Sequence, residues 1–232
     1  MHLFHCPDLA PAQLDLPAEE AHHALHVLRL APGARIGLLD GRGGRAEAEL
    51  IAVGKRHCTV RILERRFVPA ERAARIHLAV APTKQIDRFE WCLEKATELG
   101  VDRITPLLTQ RSERIRLRQD RLEKVLVGAM KQSQRTWLPR LDDLTKLTEL
   151  KADAPQRFFG WCEGEHEALP VAYDPAQDAV LLIGPEGDFT PEEATTLIAQ
   201  GFQAVSLGSA RLRTETAAIA ACAWMNLAQA RR

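Results

Sequence analysis

The sequence predicts an α/β protein, a parallel sheet layered with helices, preceded by a smaller all-β region. Three observations carry this reading. After about residue 75, apolar β-type runs alternate with amphipathic helical patterns, as βαβ units require. Before that point, short runs of alternating polarity are separated by Asp-Gly and Gly-Gly turns, which suits a small β-barrel of roughly seventy residues. Lastly, two glycine-interrupted turns, in residues 181–189 and 207–217, each close an apolar run and lead into a helical segment.

In chain order, strands are expected at 34–39, 45–51 and 58–63, with the turn Asp40-Gly-Arg-Gly-Gly44 between the first two. That glycine cluster is not a dinucleotide fingerprint, because no helical pattern follows it and the third glycine is missing. The polar, proline-bearing stretch 68–75 reads as a linker, which divides the chain into domains at 1–70 and 75–232. Beyond it a strand is predicted at 76–81. A helix follows at 85–99, with Ile86, Phe89, Leu93, Ala96 and Leu99 near one face and Gly100 as its stop. Further strands are predicted at 103–108, 157–161, 179–183 and 204–207, and helices at 120–133, 191–200 and 214–230. The helix at 191 is punctuated by Thr190 as cap, Pro191 in the first turn and Glu193 at the capping-box position. Ligands of parallel α/β sheets gather at the carboxyl ends of the strands, and this rule brings the Gly184 and Gly208 turns together.

The chain has 232 residues, 46% of them hydrophobic, enough for one large domain or a small and a medium one with a substantial core. It contains no run of about eighteen apolar residues, and its start lacks a basic segment followed by an apolar one. Neither a membrane span nor a signal peptide is expected, and the location expected is cytoplasmic. The five cysteines are scattered without C-x-x-C spacing, so free thiols are expected rather than a zinc site or redox pair. His22 and His26 would share a helix face but lack the glutamate of a zinc-protease motif. They read as a polar face or an RNA-facing cluster, and no metal is expected.

Formal net charge is zero, yet the charge is unevenly distributed. Residues 111–140 hold nine Lys/Arg against three Asp/Glu, a net of +6; residues 149–200 hold two against eleven, a net of −9. The basic block includes Arg111, Arg114, Arg116 and Arg135, with Trp137 interleaved. It is either a solvated helix face or a surface that tracks phosphates.

Six ordered motifs then coincide: His22-His-Ala-Leu-His-Val-Leu-Arg29 with Gly33; Lys84 with Glu94-Lys-Ala-Thr-Glu-Leu-Gly100; Thr109-Gln-Arg-Ser112; Gln132-Ser133 with Arg135 and Pro139; Ile183-Gly-Pro-Glu-Gly187; and Leu212-Arg-Thr-Glu-Thr-Ala217. Over nearly its whole length the chain resembles the bacterial family that methylates N3 of a uridine in 16S ribosomal RNA, within the trefoil-knotted (SPOUT) class of RNA methyltransferases. The resemblance implies a PUA-like RNA-binding β-barrel, a knotted α/β domain, a homodimer, S-adenosylmethionine as cofactor and U1498 of the small ribosomal subunit as target. It implies that Thr83, Leu182, Gly184, Glu186, Gly187, Leu207, Gly208, Leu212 and Thr216 hold the cofactor. His22, Arg29, Arg111, Arg114 and Arg116 are the candidates for binding RNA. Two positions depart from the family pattern: Asp188 replaces a second glycine, and Ala210-Arg211 replaces an arginine followed by an aliphatic residue.

Uridine N3 carries a proton that must leave, and the resulting anion on O2, N3 and O4 must be stabilised. Arg135 and Arg213 are candidates for holding phosphate or that anion, against ion pairing with Glu98, Glu186 or Glu215. Glu186 and Glu215 are candidate bases, against carboxylates that merely accept backbone N–H groups. Gly184, Gly187 and Gly208 suit close approach of backbone to ligand. Thr214 and Thr216 either bond the cofactor or cap the last helix. The alanines of that helix form a small-residue face, either knot core or dimer seam. Rival readings are a knotted methyltransferase for another target, such as a transfer-RNA ribose 2′-hydroxyl, and a noncatalytic RNA-binding module.

Overall fold

Alternating side chains in the N-terminal third give a sheet with one buried face. The computed structural model describes residues 1–54, 57–70, 72 and 74–230; of the predicted linker, residues 71 and 73 lie outside the described residues. The strands are β1 (Leu3–His5), β2 (Gln13–Asp15), β3 (Arg35–Leu39), β4 (Gly44–Val53) and β5 (Cys58–Phe67), in the spatial order β1-β3-β4-β5-β2. Pairing is antiparallel except between β1 and β3. Along β4, Ala46, Ala48 and Leu50 are buried beside Phe4, Ile36, Leu38 and Val60, and the intervening Glu47 is exposed. Asp40 Oδ1 accepts the N–H groups of Arg42 (2.7 Å) and Gly44 (2.8 Å), closing the predicted turn, in which Gly41 and Gly43 take positive φ. Helix α1 (Ala18–His22) runs into a π-helical turn at His23–Val27 and buries Ala21 and Ala24 against this sheet's core.

The chain divides into two units, Met1–Glu71 with Val127–Leu138, and Arg72–Leu126 with Pro139–Arg232. From residue 76 onward strands and helices alternate: β6 (Ile76–Val80), α2 (Ile86–Glu98), β7 (Arg103–Leu108), α3 (Gln119–Gln132, whose residues from Val127 belong to the first unit), β8 (Arg140–Leu141), β9 (Thr145–Lys146), β10 (Gln156–Gly160), α4 (Leu169–Ala172), β11 (Ala179–Ile183), α5 (Pro191–Ala199), β12 (Gln203–Val205) and α6 (Thr214–Ala230). The sheet order is β12-β10-β11-β6-β7-β8, with β9 also on β7, and every pairing is parallel. β6 and β11 are buried at all five positions, as strands covered on both faces are.

Helix α2 buries the stripe Phe89, Cys92, Leu93 and Ala96, spaced to fall on one face. It ends at Gly100 (φ +74), where the Val101 N–H reaches back to Ala96 O at 3.1 Å. Helix α6 packs on α2 and β6. On α5 the predicted capping box is present with both reciprocal bonds. The five cysteines are free, four of them buried and Cys162 exposed. Among the described residues no helix is long and apolar enough to cross a membrane, and no cluster of three or more His, Cys, Asp or Glu side chains is arranged to hold a metal ion.

Candidate active site

Because β12, β10 and β11 are neighbours and parallel, their carboxyl ends open on one side, and the loops leaving Gly160, Ile183 and Val205 line one cleft of about 1190 Å³. The turn after β11 is held from four directions. Asp188 N–H reaches Pro185 O at 2.9 Å, and Asp188 adopts φ +62. Its carboxylate accepts the N–H of Phe189 (2.8 Å) and of Cys162 (2.9 Å), tying this turn to the loop after β10. Phe189 is buried, edge-on to Phe159 at 5.9 Å. Arg111 donates from Nη1 to Gly187 O (2.6 Å) and Phe189 O (3.3 Å), and Thr214 donates from the start of α6 to Gly184 O at 3.1 Å.

The loop that carries Arg111 is itself fixed. Thr109 N–H donates to Ser112 Oγ (3.0 Å), and Gln110 N–H to Glu193 Oε1 (2.8 Å), so the capping-box glutamate of α5 also positions the arginine. Arg114 donates to Thr83 O (3.1 Å) and Lys84 O (2.6 Å), while Lys84 N–H donates to Glu186 Oε1 (3.0 Å). Three loops are thus laced together by side-chain-to-backbone bonds. Such bonds hold a ligand turn in place before ligand arrives.

Of the predicted cofactor residues, Gly184, Glu186, Gly187, Leu207, Gly208 and Leu212 line the cleft. Leu182 is fully buried in the sheet core. Thr83 is buried with its hydroxyl donated to Gln85 O at 2.7 Å, and Thr216 is an exposed residue of α6 outside the cleft lining. The glycines differ in what they need. A Cβ on Gly184 would meet Phe189 N at 3.1 Å, so the turn would have to give by a few tenths of an ångström to accept a side chain there; Gly208 has φ +123 with open space around it.

Arg213 and Glu186 are exposed cleft residues, and Arg135 is a half-buried residue of the first unit. Glu215 is buried, 3.9 Å from Arg88. Among the RNA-binding candidates, Arg111 and Arg114 make the backbone bonds just described, and Arg116 is exposed beside a smaller pocket of about 350 Å³ with Lys84 and Arg114. His22 is exposed with its ring 4.7 Å from that of His26, and Arg29 is exposed with φ +53.

The loop after β10 is a wall of the cleft that the sequence reading did not name. Trp161 and His166 stack at 5.3 Å with an interplanar angle of 18°, and Cys162, Glu163 and Glu165 lie between them. Partial desolvation, and then the Asp188 carboxylate, push the Cys162 thiol up. The signal was available: a parallel strand was expected at 157–161, so its carboxyl end belonged to the same edge.

The lining pairs apolar Ile183, Leu207, Leu212 and Ala217 with Arg111, Arg211 and Arg213 against Glu163, Glu165, Glu186 and Asp188. Apolar surface for a flat base, cations for a carboxylate and carboxylates for an ammonium and a sulfonium match an adenosine-linked amino-acid sulfonium.

Among known proteins, the RNA methyltransferase domain family matches residues 70–226, and the RNA methyltransferase PUA domain matches residues 16–63. The ribosomal RNA small subunit methyltransferase E of Synechocystis is 34% identical over 226 residues, covering 93% of this chain and 73% of that protein. A solved chain from Porphyromonas gingivalis, described as a probable rRNA-methyltransferase, is 38% identical with a TM-score of 0.90 over 99% of both chains. The small subunit methyltransferase E of Neisseria gonorrhoeae, solved bound to S-adenosyl methionine, is 30% identical with a TM-score of 0.87 over 98% of this chain and 97% of that one.

Proposed function

The chain belongs to the RNA methyltransferase family, whose domain covers residues 70–226, and from that premise we propose that it methylates N3 of a uridine, U1498, in the 16S RNA of the small ribosomal subunit, using S-adenosylmethionine. The observation that carries the reading is a cleft in which both glycine turns meet, at the carboxyl ends of the parallel strands β11 and β12 that flank β10, with a lining suited to that cofactor. The names of the similar proteins support the RNA class and the methyl donor.

When bound there, S-adenosylmethionine supplies an electrophilic methyl group on a sulfonium. The residues of the chain act on the other partner. Uridine gives its N3 proton to the exposed Glu186 carboxylate in the cleft as the N–C bond forms and the methyl–sulfur bond breaks, and the Arg213 guanidinium, also exposed in the cleft, holds the charge developing on O2 and O4. The Lys84 N–H donates to Glu186 Oε1 at 3.0 Å, which holds that carboxylate at the cleft. The laced loops fix the cleft's geometry, which is how a protein without a covalent intermediate accelerates an in-line transfer.

In the same reading, residues 1–70 form a PUA-like β-barrel that binds RNA, residues 75–232 form the trefoil-knotted catalytic domain, and the enzyme works as a cytoplasmic homodimer. The PUA match at residues 16–63 and the crossed strand order of the parallel sheet support this organisation. Labelled S-adenosylmethionine incubated with small subunits from cells lacking the protein tests the proposal. N3-methyluridine in the nucleoside digest is the expected result. A 2′-O-methylated ribose would replace the target, and cofactor binding without transfer to any RNA would refute the activity.

A further inference from the structure

The loop between β12 and α6 carries an exposed arginine, Arg211, two residues before Arg213. The loop is tied at both ends. Ser206 N–H donates to Glu167 O (2.9 Å) and Gly208 N–H to Ser206 Oγ (3.3 Å), and at the far end the Thr214 hydroxyl donates to Gly184 O (3.1 Å). Between these ties Ser209, Ala210 and Arg211 are exposed residues of the cleft lining. Arg211 stands one position beyond the arginine of the family pattern, with Ala210 in that arginine's place.

The three cleft arginines differ in what they already hold. Arg111 donates from Nη1 to Gly187 O and Phe189 O, which commits it to the turn after β11. Arg213 stands at the entrance to α6, where its carbonyl accepts Ala217 N–H at 2.8 Å, and its guanidinium serves the uridine in the reaction above. Among the described residues Arg211 makes no side-chain hydrogen bond or ion pair. The neighbouring wall, the loop after β10, carries Glu163 and Glu165, whose carboxylates are likewise without a partner there. That wall is fixed: Trp161 and His166 stack across it, and His166 Nε2–H donates to Glu163 O at 2.7 Å. At Cys162 in the same wall, desolvation first and the Asp188 carboxylate next raise the thiol, while the Arg211 guanidinium acts in the opposite direction, so its charge reaches this loop.

A free cation and free carboxylates that share one cleft without pairing leave room between them for a zwitterion. The methionine part of the cofactor is one, an α-carboxylate beside an α-ammonium. The acidic wall repels its carboxylate and attracts its ammonium, and the planar fork of an arginine matches both carboxylate oxygens. We propose that Arg211 receives the α-carboxylate of the cofactor. The proposal rests on S-adenosylmethionine being the methyl donor. It separates the roles of two arginines only two residues apart: Arg211 positions the donor, and Arg213 holds the charge on the acceptor.

Calorimetry on wild-type protein, Arg211→Ala, Arg211→Lys, Arg111→Ala and Arg213→Ala tests the assignment with two ligands. One is S-adenosylhomocysteine; the other is its decarboxylated analogue, S-adenosyl-3-thiopropylamine, which keeps the ammonium and lacks the carboxylate. Wild-type protein should bind the first about tenfold more tightly than the second. Arg211→Ala should bind S-adenosylhomocysteine about tenfold more weakly and the amine as tightly as wild type does, so the preference disappears while amine binding shows that the cleft is intact. Arg211→Lys should recover part of the preference, since an ammonium keeps the charge and loses the fork. Arg111→Ala should weaken both ligands alike, as a residue that holds the turn does, and Arg213→Ala should keep the preference. Equal loss of both ligands in Arg211→Ala, no loss of either, or disappearance of the preference in Arg213→Ala instead would each overturn the assignment. If wild-type protein binds neither S-adenosylmethionine nor S-adenosylhomocysteine, the cofactor reading itself has failed; if it binds both and the preference survives in Arg211→Ala, only the role of Arg211 has failed.

Discussion

Asp188 occupies a left-handed backbone conformation, φ +62, that glycine adopts freely and L side chains seldom do. Its carboxylate offsets that cost by accepting the N–H groups of Phe189 and Cys162. The departure from the family pattern thus keeps the glycine-like backbone and adds a tether between two cleft loops. Asp188→Ala loses both bonds and keeps the strain, a destabilisation of about 2 kcal/mol, whereas Asp188→Gly loses the bonds but relieves the strain and should cost about half as much. Urea unfolding of the two variants checks the order; an alanine variant as stable as the glycine variant would remove strain from the account. Arg111 is a second residue whose type was readable but whose partner was not. Its place in a basic block suggested phosphate, but its guanidinium is bonded to carbonyls more than seventy positions away in the chain, which spacing cannot reveal. Arg111→Ala should weaken cofactor binding about tenfold by calorimetry, or about 1.4 kcal/mol, and Arg111→Lys should not restore it, since one ammonium does not reproduce the planar fork.

At the scale of elements, what is encoded locally was legible and what is set by distant pairing was not. Helix α5 announces itself within four residues, and both bonds of its capping box are formed. Thr190→Ala should therefore cost about 1 kcal/mol. Glu193→Ala should cost more, roughly 2 kcal/mol, because that buried carboxylate also accepts Gln110 N–H. Chemical denaturation of both variants checks the ranking, and equal losses would mean that the Gln110 bond adds nothing. Helix α2 was legible for the same reason, since its buried stripe repeats at helical spacing. Strands β1, β2, β8 and β9 and helix α4 have two to four residues each, too short to show a period. β1 exists because it lies against β3, some thirty positions later in the chain, and nothing within its three residues carries that information. The π-helical turn after α1 also escapes a helical template, because its bonds span one residue more than the expected spacing.

For the whole molecule, the site was legible to the extent that the sheet rule applied. The carboxyl edge collects the Gly184 and Gly208 turns as expected, but it also collects the Trp161–His166 loop, which has no motif of its own. The assignment of Val127–Leu138 to the first unit is set by long-range contacts and leaves no mark in composition. The parallel sheet also sets the protein's response to acid. His77 on β6 is buried, with Nε2 2.7 Å from Thr105 Oγ1 on β7. The Thr105 hydroxyl gives its proton to Asp142, which is also bonded by Arg103 (2.6 Å) and Arg140 (3.0 Å), so His77 Nε2–H is the donor to Thr105. Burial first, and the Arg103 and Arg140 charges next, outweigh the Asp142 and Asp153 carboxylates and lower the imidazole from 6.5 to about 4. Between those values the unfolded chain binds a proton that the native chain does not, so stability rises with pH through the window and is lost as pH falls from 6.5 toward 4. His5, also lowered by burial, adds to the effect; Asp102, raised by burial, opposes it near the acid end, and Asp142, lowered, loses its contribution only below 3.8. From pH 7.5 to pH 5 the His77 contribution falls by about 2 kcal/mol. His77→Gln, which keeps a donor to Thr105 but cannot titrate, should lose less stability over that interval by about the same amount in urea unfolding. Identical losses in the two proteins would mean that His77 is protonated in the native state at pH 5.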